Sequence, residues 1–158
     1  MNDAQARAVL ARYDLAPPVR LGPVARRENA VWRVETARGA LALRCHRAGY
    51  RSAAELASEL DFMAMLAAGG LTVPAPIRAR DGGFVVHHAG RAWSLLTWLP
   101  GTPLGRAGTQ LPPAHGPGVF ARLGATLARL HALADGWTPP AGFTRPDWRA
   151  EGLVGETP

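Results

Sequence analysis

Between residues 52 and 68 the apolar residues Leu56, Leu60, Phe62, Met63, Leu66 and Ala67 fall on one arc of a helix that advances about 100° per residue. Ser52-Ala53-Ala54-Glu55 has the spacing of a capping box, which gives this helix a start, and Gly69-Gly70 gives it a stop. Upstream, the pattern predicts a short helix from an Asp3 cap through Tyr13. Pro17-Pro18 then forces an extended entry into Val19-Arg20-Leu21, followed by a loop over 22–29. Residues 30–36 alternate as a strand, turn at Arg38-Gly39 and return over 40–45, so three antiparallel strands precede the helix. Pro74 and Pro76 confine their segment to an edge or a bulge. Two further strands, 84–88 and 92–99, are punctuated by Asp81-Gly82-Gly83 and Ala89-Gly90-Arg91. The order is three strands, a helix and two strands, an α+β arrangement with a five-stranded antiparallel sheet. Residues 101–117, rich in Gly and Pro, read as a linker, and Phe120, Leu123, Leu127, Leu130 and Ala134 then line one face of another helix. One helix and a tail carrying Trp137, Phe143 and Trp148 cannot bury all of that apolar surface, which is expected to stay uncovered and to favour self-association.

Glu59 interrupts the apolar arc of the capped helix. A carboxylate in that position loses hydration that apolar neighbours do not restore. Two outcomes fit the pattern: the helix rotates enough for Glu59 to reach water, or Glu59 meets a cation across the interface. Arg44, near the end of the strand over 40–45, is the nearest such cation along the chain.

Composition narrows the class. With 158 residues and 47% hydrophobic content the chain can bury a real core and is not a disordered segment. No run approaches the roughly 18 apolar residues of a membrane span, and the first residues carry Asp3 and Arg7 in place of a signal-peptide core; a cytoplasmic protein is expected. Cys45 is the only cysteine, which excludes an intrachain disulfide and a cysteine-based metal site, and a lone strand cysteine reads as a small buried hydrophobe. All 18 basic residues are arginine and the formal charge is +6, a balance that raises the question of nucleic-acid binding. The arginines are spread along the chain, however, with only Arg26-Arg27 adjacent, so a diffuse basic surface is favoured over an RNA-binding patch. The local cluster Arg44, Arg47 and Arg51 is the part suited to an anion.

Several stretches together resemble the amino-terminal half of the aminoglycoside phosphotransferase-like kinases, nearest their stress-response-kinase and homoserine-kinase-like branches. They are Glu28-Asn29-Ala30-Val31-Trp32-Arg33-Val34, Leu43-Arg44-Cys45-His46-Arg47-Ala48-Gly49-Tyr50-Arg51-Ser52, Ser58-Glu59-Leu60, Val73-Pro74-Ala75-Pro76, Leu96-Thr97-Trp98-Leu99-Pro100-Gly101, Leu127-Ala128-Arg129-Leu130-His131 and Gly142-Phe143-Thr144-Arg145-Pro146. The resemblance implies a protein-kinase-like ATP-binding lobe over 1–100, a hinge or linker over 101–117 and the start of an incomplete helical lobe over 118–158. It places Arg44 where the family has its phosphate-binding Lys and Glu59 where the helix partner of that Lys stands. Arginine in place of lysine is a departure, since a guanidinium is flatter and larger than an ammonium and grips phosphate through two parallel bonds. Glu28 and Asn29 match polar positions of the loop that covers the ATP phosphates, although 22–29 lacks that loop's repeated glycines. Thr97, Trp98 and Leu99 fall where hinge groups line the adenine.

The family's catalytic loop needs His-x-Asp followed four residues later by Asn, the Asp receiving the acceptor's proton and the Asn holding a metal. Two residues after each of the five histidines stand Ala48, Ala89, Gly90, Pro117 and Leu133, and Asp61-Phe62-Met63 lies inside the capped helix. No catalytic residue and no metal ligand is therefore read from this chain. The expectation is the ATP-binding portion of a kinase that phosphorylates a small-molecule alcohol, cut before the catalytic loop, with magnesium held by residues of the complete enzyme. A pseudokinase-like module that binds a nucleotide or a partner is the alternative. An aminoglycoside, homoserine, choline, another alcohol or a protein hydroxyl all fit as acceptor.

Overall fold

The structure is a computed structural model and describes residues 2–26, 28–102, 105, 108 and 116–146. Trp148 and most of the 101–117 linker lie outside the described residues. The elements are α1 (Asp3–Leu10), β1 (Arg20–Arg26), β2 (Ala30–Thr36), β3 (Gly39–Cys45), α2 (Ala53–Ala68), β4 (Pro76–Ile77), β5 (Val85–His88), β6 (Arg91–Thr97) and α3 (Pro117–Asp135). All strand pairs are antiparallel, in the order β1-β2-β3-β6-β4, with β5 also on β6. The expected α+β lobe is present with a sixth strand, because Pro76 and Ile77 pair with Leu96 and Leu95. As the two prolines required, that strand sits at the edge.

Three local expectations are corrected. The cap of α1 is Asn2, reciprocally bonded with Gln5, and the helix stops at Leu10 instead of Tyr13. Asp3, freed from capping, accepts a 2.9 Å bond from the Trp32 indole, tying α1 to the sheet. The segment 22–29 is not one long loop: β1 continues to Arg26, which pairs with Ala30, the register with β2 shifting between Pro23 and Ala25. Pro23 lacks an N–H, and a register shift there is how a strand absorbs it. The β2–β3 turn is Ala37-Arg38, one residue earlier than expected, with the Thr36 hydroxyl donating to the Gly39 carbonyl and accepting from the Arg38 amide.

Strand alternation sends side chains to two different faces. Trp32 and Val34 of β2, Leu43 and Cys45 of β3, and Trp93 and Leu95 of β6 join Ala6, Val9 and Leu10 of α1 and Tyr13 just beyond it in the main core. Trp32 and Trp93 meet there with ring centroids 5.4 Å apart. Positions of opposite parity, among them Arg33, Arg44, Ser94 and Leu96, face the other side, where α2 lies. The α2 helix is the element the sequence specified most fully: Ser52 caps it through a complete box with Glu55, and Gly69 ends it.

On α3, Phe120, Leu123 and Leu127 are exposed, as expected for a helix with no second layer over it. Trp137 and Phe143 differ from expectation. They are half-buried against α2, Trp137 with its ring 5.5 Å from Phe62 and 5.1 Å from Phe143. Replacing Leu43, which is fully buried, by Ala should therefore cost about 2–5 kcal/mol in chemical denaturation. Leu127→Ala should stay within about 0.5 kcal/mol, and equal costs at the two positions would contradict the burial described.

Candidate phosphate site

Period-two alternation on β3 puts Arg44 on the α2 face, opposite Ser94 of β6 and Val31 of β2. Helical phase, fixed by the Ser52 cap, brings Glu59 round to the same place two turns in. There Arg44 Nη2 donates to Glu59 Oε1. Of the two outcomes open to Glu59, the structure takes the ion pair. The pair is only partly wet, with the Arg44 side chain 19% and that of Glu59 26% exposed. Arg145 adds a second cation, its Nη1 lying 3.4 Å from Glu59 Oε2. Burial works to raise the Glu59 pKa, but the Arg44 hydrogen bond and charge, followed by the Arg145 charge, outweigh it and leave the carboxyl below its ordinary range.

Beside this pair is a cavity of about 170 Å³ lined by Asn29, Arg44, His46, Arg47, Tyr50, Arg51, Leu56, Glu59 and Arg145. Four guanidiniums share it with one carboxylate. All four are paired with acids: Arg44 and Arg145 with Glu59, Arg47 with Glu28 at 2.7 Å and Arg51 with Glu55 at 3.1 Å. Tyr50 sits between two of the guanidiniums, that of Arg51 lying 4.8 Å and that of Arg47 5.5 Å from its ring. Asn29 accepts from the Arg47 amide at 3.2 Å, which fastens the β1–β2 turn over the loop after β3. Among the described residues the buried Arg44 Nε has no hydrogen-bond partner. A buried guanidinium N–H left without an acceptor is costly, so Arg44 is held there by the bond its Nη2 makes to Glu59.

His46 continues the Arg44 side of β3 and lies 5% exposed, its Nε2 3.0 Å from the Ser94 hydroxyl. Burial, and then the Arg44 charge, push its pKa down to about 4, so the imidazole is neutral near pH 7 and leaves the positive field to the arginines. The His46 carbonyl is held by Arg91 Nε and Nη2 at 3.1 and 2.6 Å.

Of the residues expected from sequence, Arg44, Glu59 and Asn29 meet at one cavity, and Glu28 stands behind it through Arg47. Thr97, Trp98 and Leu99 lie away from that cavity. The Thr97 amide and hydroxyl bond Ala75, and the Trp98 amide donates to the Ala40 carbonyl at 3.2 Å. Trp98 still shares the sheet face of Arg44, stacked with the Arg33 guanidinium at 4.8 Å. His46, Tyr50 and Arg145 were not read as site residues. Alternation from Arg44 could have found His46; nothing local marks Arg145, which arrives from 86 positions beyond Glu59. Among the described residues no cluster of three His, Cys, Asp or Glu could hold a metal ion, and no helix is long and apolar enough to cross a membrane.

An antiparallel sheet whose central basic residue is paired to the helix that follows defines a protein-kinase-like small lobe. The chain belongs to the phosphotransferase enzyme family, whose model matches residues 21–156. A homoserine kinase of Acidiphilium cryptum is 33% identical over 141 residues, covering 88% of this chain and 41% of that protein. One from Azorhizobium caulinodans is 31% identical over 140 residues, covering 82% and 42%. Among solved structures, a microcompartment-associated aminopropanol kinase superposes with a TM-score of 0.75 at 32% identity, over 99% of this chain and 48% of that one. Amicoumacin kinase in complex with AMP-PNP, Ca²⁺ and Ami has the same fold, with a TM-score of 0.74 at 21% identity over 96% and 45%. The chain thus spans about two-fifths of the length of the curated relatives it matches.

Glu59→Gln should destabilise the protein by about 1–3 kcal/mol at pH 7, less than a fully buried pair because both heads keep some solvent. Since its pKa is depressed, the Glu59 contribution is present above the ordinary carboxylate range and is lost as pH falls through it. For His46 the unfolded chain binds the extra proton between 6.5 and about 4, so stability should already decline across that window as acid is added. Denaturation midpoints from pH 8 to 3 check both. The Gln variant should lose the lower limb and keep the upper; an unchanged profile would mean that the pair carries no stability.

Proposed function

We propose that this chain holds the nucleotide in a phosphotransferase that moves the γ-phosphate of ATP to a hydroxyl of a small-molecule alcohol. The observation that carries the reading is the Arg44 cavity, where the guanidiniums of Arg44, Arg47, Arg51 and Arg145 converge. Polyphosphate is the ligand that such a charge excess fits, and phosphoryl transfer depends chiefly on positioning and charge neutralisation. In this reading Arg44 grips phosphate oxygens, Glu59 orients Arg44, and Glu28 and Asn29 brace the turn and Arg47 beside it. Thr97, Trp98 and Leu99 line the adenine. Thr97 is three residues along β6 from Ser94, the partner of Arg44, about 10 Å of strand, a span suited to a ligand with a flat base at one end and phosphates at the other.

In this reading magnesium takes its protein ligands from the rest of the enzyme, since the carboxylate that lines the cavity is already shared by two arginines. The acceptor follows the relatives: homoserine and aminopropanol, named in theirs, are small amino alcohols. With no His-x-Asp motif among its 158 residues, this polypeptide by itself should bind nucleotide without transferring phosphate.

Calorimetric titration tests the reading. Affinity should fall from ATP to ADP to AMP, and Arg44→Ala should weaken ATP binding by about tenfold or more, the worth of one charge-assisted bidentate contact. Equal affinity for the three nucleotides, or an Arg44→Ala chain that binds like the parent, would contradict it.

A further inference from the structure

The segment after α3 turns back onto α2 and holds it through contacts of three kinds. The Thr144 amide donates to the Ser58 hydroxyl at 2.9 Å, and that hydroxyl donates to the Ala54 carbonyl at 2.8 Å. Ser58 is 2% exposed, so without Thr144 its oxygen would be buried on a helix with no donor. Arg145 Nη1 reaches both the Glu55 carbonyl and Glu59 Oε2 at 3.4 Å. Trp137 and Phe143 close over Phe62. At the far end of α2, Leu133 of α3 lies so near Gly69 that a Cβ there would be 2.5 Å from Leu133 Cδ2. The helix is gripped along its length by residues that follow the linker.

Glu59 is where this grip meets the cavity, since one carboxylate oxygen takes Arg44 from the sheet and the other takes Arg145 from the returning segment. A carboxylate with one bonded oxygen can swing about its last torsion; with both oxygens engaged by cations on different elements its plane is fixed. The plane of Glu59 sets the direction of the Arg44 guanidinium. We infer that Arg145 is a positioning residue for the Arg44 anion site, acting through Glu59, so that docking of the 137–145 segment on α2 is a condition for a tight grip on phosphate. The inference rests on the proposed nucleotide reading for its ligand, but its structural half, the linkage from Arg145 to Glu59 and α2, does not.

The test is a double-mutant cycle on ATP affinity together with hydrogen exchange of α2 in the nucleotide-free protein. Arg145→Gln, a change at a partly exposed side chain, should weaken ATP binding about fivefold, a coupling of the size seen between contacting charges. Arg145→Lys should recover most of the loss. In a Glu59→Gln background the same Arg145→Gln change should have no further effect. An equal loss in both backgrounds would overturn the inference, because Arg145 would then be touching the ligand itself, and so would an unchanged affinity. If Arg44→Ala leaves ATP affinity unaltered, the nucleotide reading fails separately, and exchange at amides 55–60 decides the linkage. Faster exchange in Arg145→Gln that vanishes in the Glu59→Gln background sustains the linkage, and exchange that stays at the parent rate overturns it.

Discussion

A carboxylate on the inner face of a helix is the constraint around which this lobe is arranged. Burial works against the Glu59 charge, and the two guanidiniums that outweigh it come from different parts of the chain. Satisfying it fixes three things together: the rotation of α2 about its axis, the outward parity of Arg44 on β3, and the return of Arg145 to the helix. The capping box at Ser52 and the continuous β2–β3–β6 register supply the first two in advance. The carboxylate therefore meets its partners without having to rearrange the sheet.

The sheet divides its two faces between stability and chemistry. On the α1 face the side chains of Trp32, Trp93, Leu43 and Leu95 are dry, and the two indoles donate their N–H groups to Asp3 and to the His88 carbonyl. On the α2 face polar groups stand beside Leu96: Arg33, Arg44 and Ser94 point that way, with His46 held neutral among them. Leu56, Leu60 and Leu66 of α2 and Leu96 of β6 supply the buried apolar area on this side, and the polar side chains beside them orient one another.

Much of this was legible in the sequence because the signals were local. The alternation over 30–45, the Ser52 box, the Gly69 stop and the prolines near 74–76 each act within a few residues, and each element appears where its signal stands. The Arg44–Glu59 contact was legible for a related reason, since one strand parity and one helix phase suffice to bring them together. What escaped was set by tertiary context. Pro23 hides the continuation of β1, because a register shift has no simple period. The two-residue strand Pro76–Ile77 is too short to alternate. Arg145 and the packing of Trp137 between Phe62 and Phe143 depend on a chain reversal that no local pattern encodes.

If phosphate binds in the Arg44 cavity, the Arg44 side chain itself can report it. In NMR spectra of the ¹⁵N-labelled chain, the Arg44 Nε–Hε resonance should move on addition of ATP, along with the amides of 44–51 and the Arg145 side chain, as an anion settles beside the guanidinium. Shifts confined to another part of the lobe, such as the cleft between α1 and the sheet bordered by Arg7 and Arg80, with the Arg44 Nε–Hε signal unmoved, would contradict it.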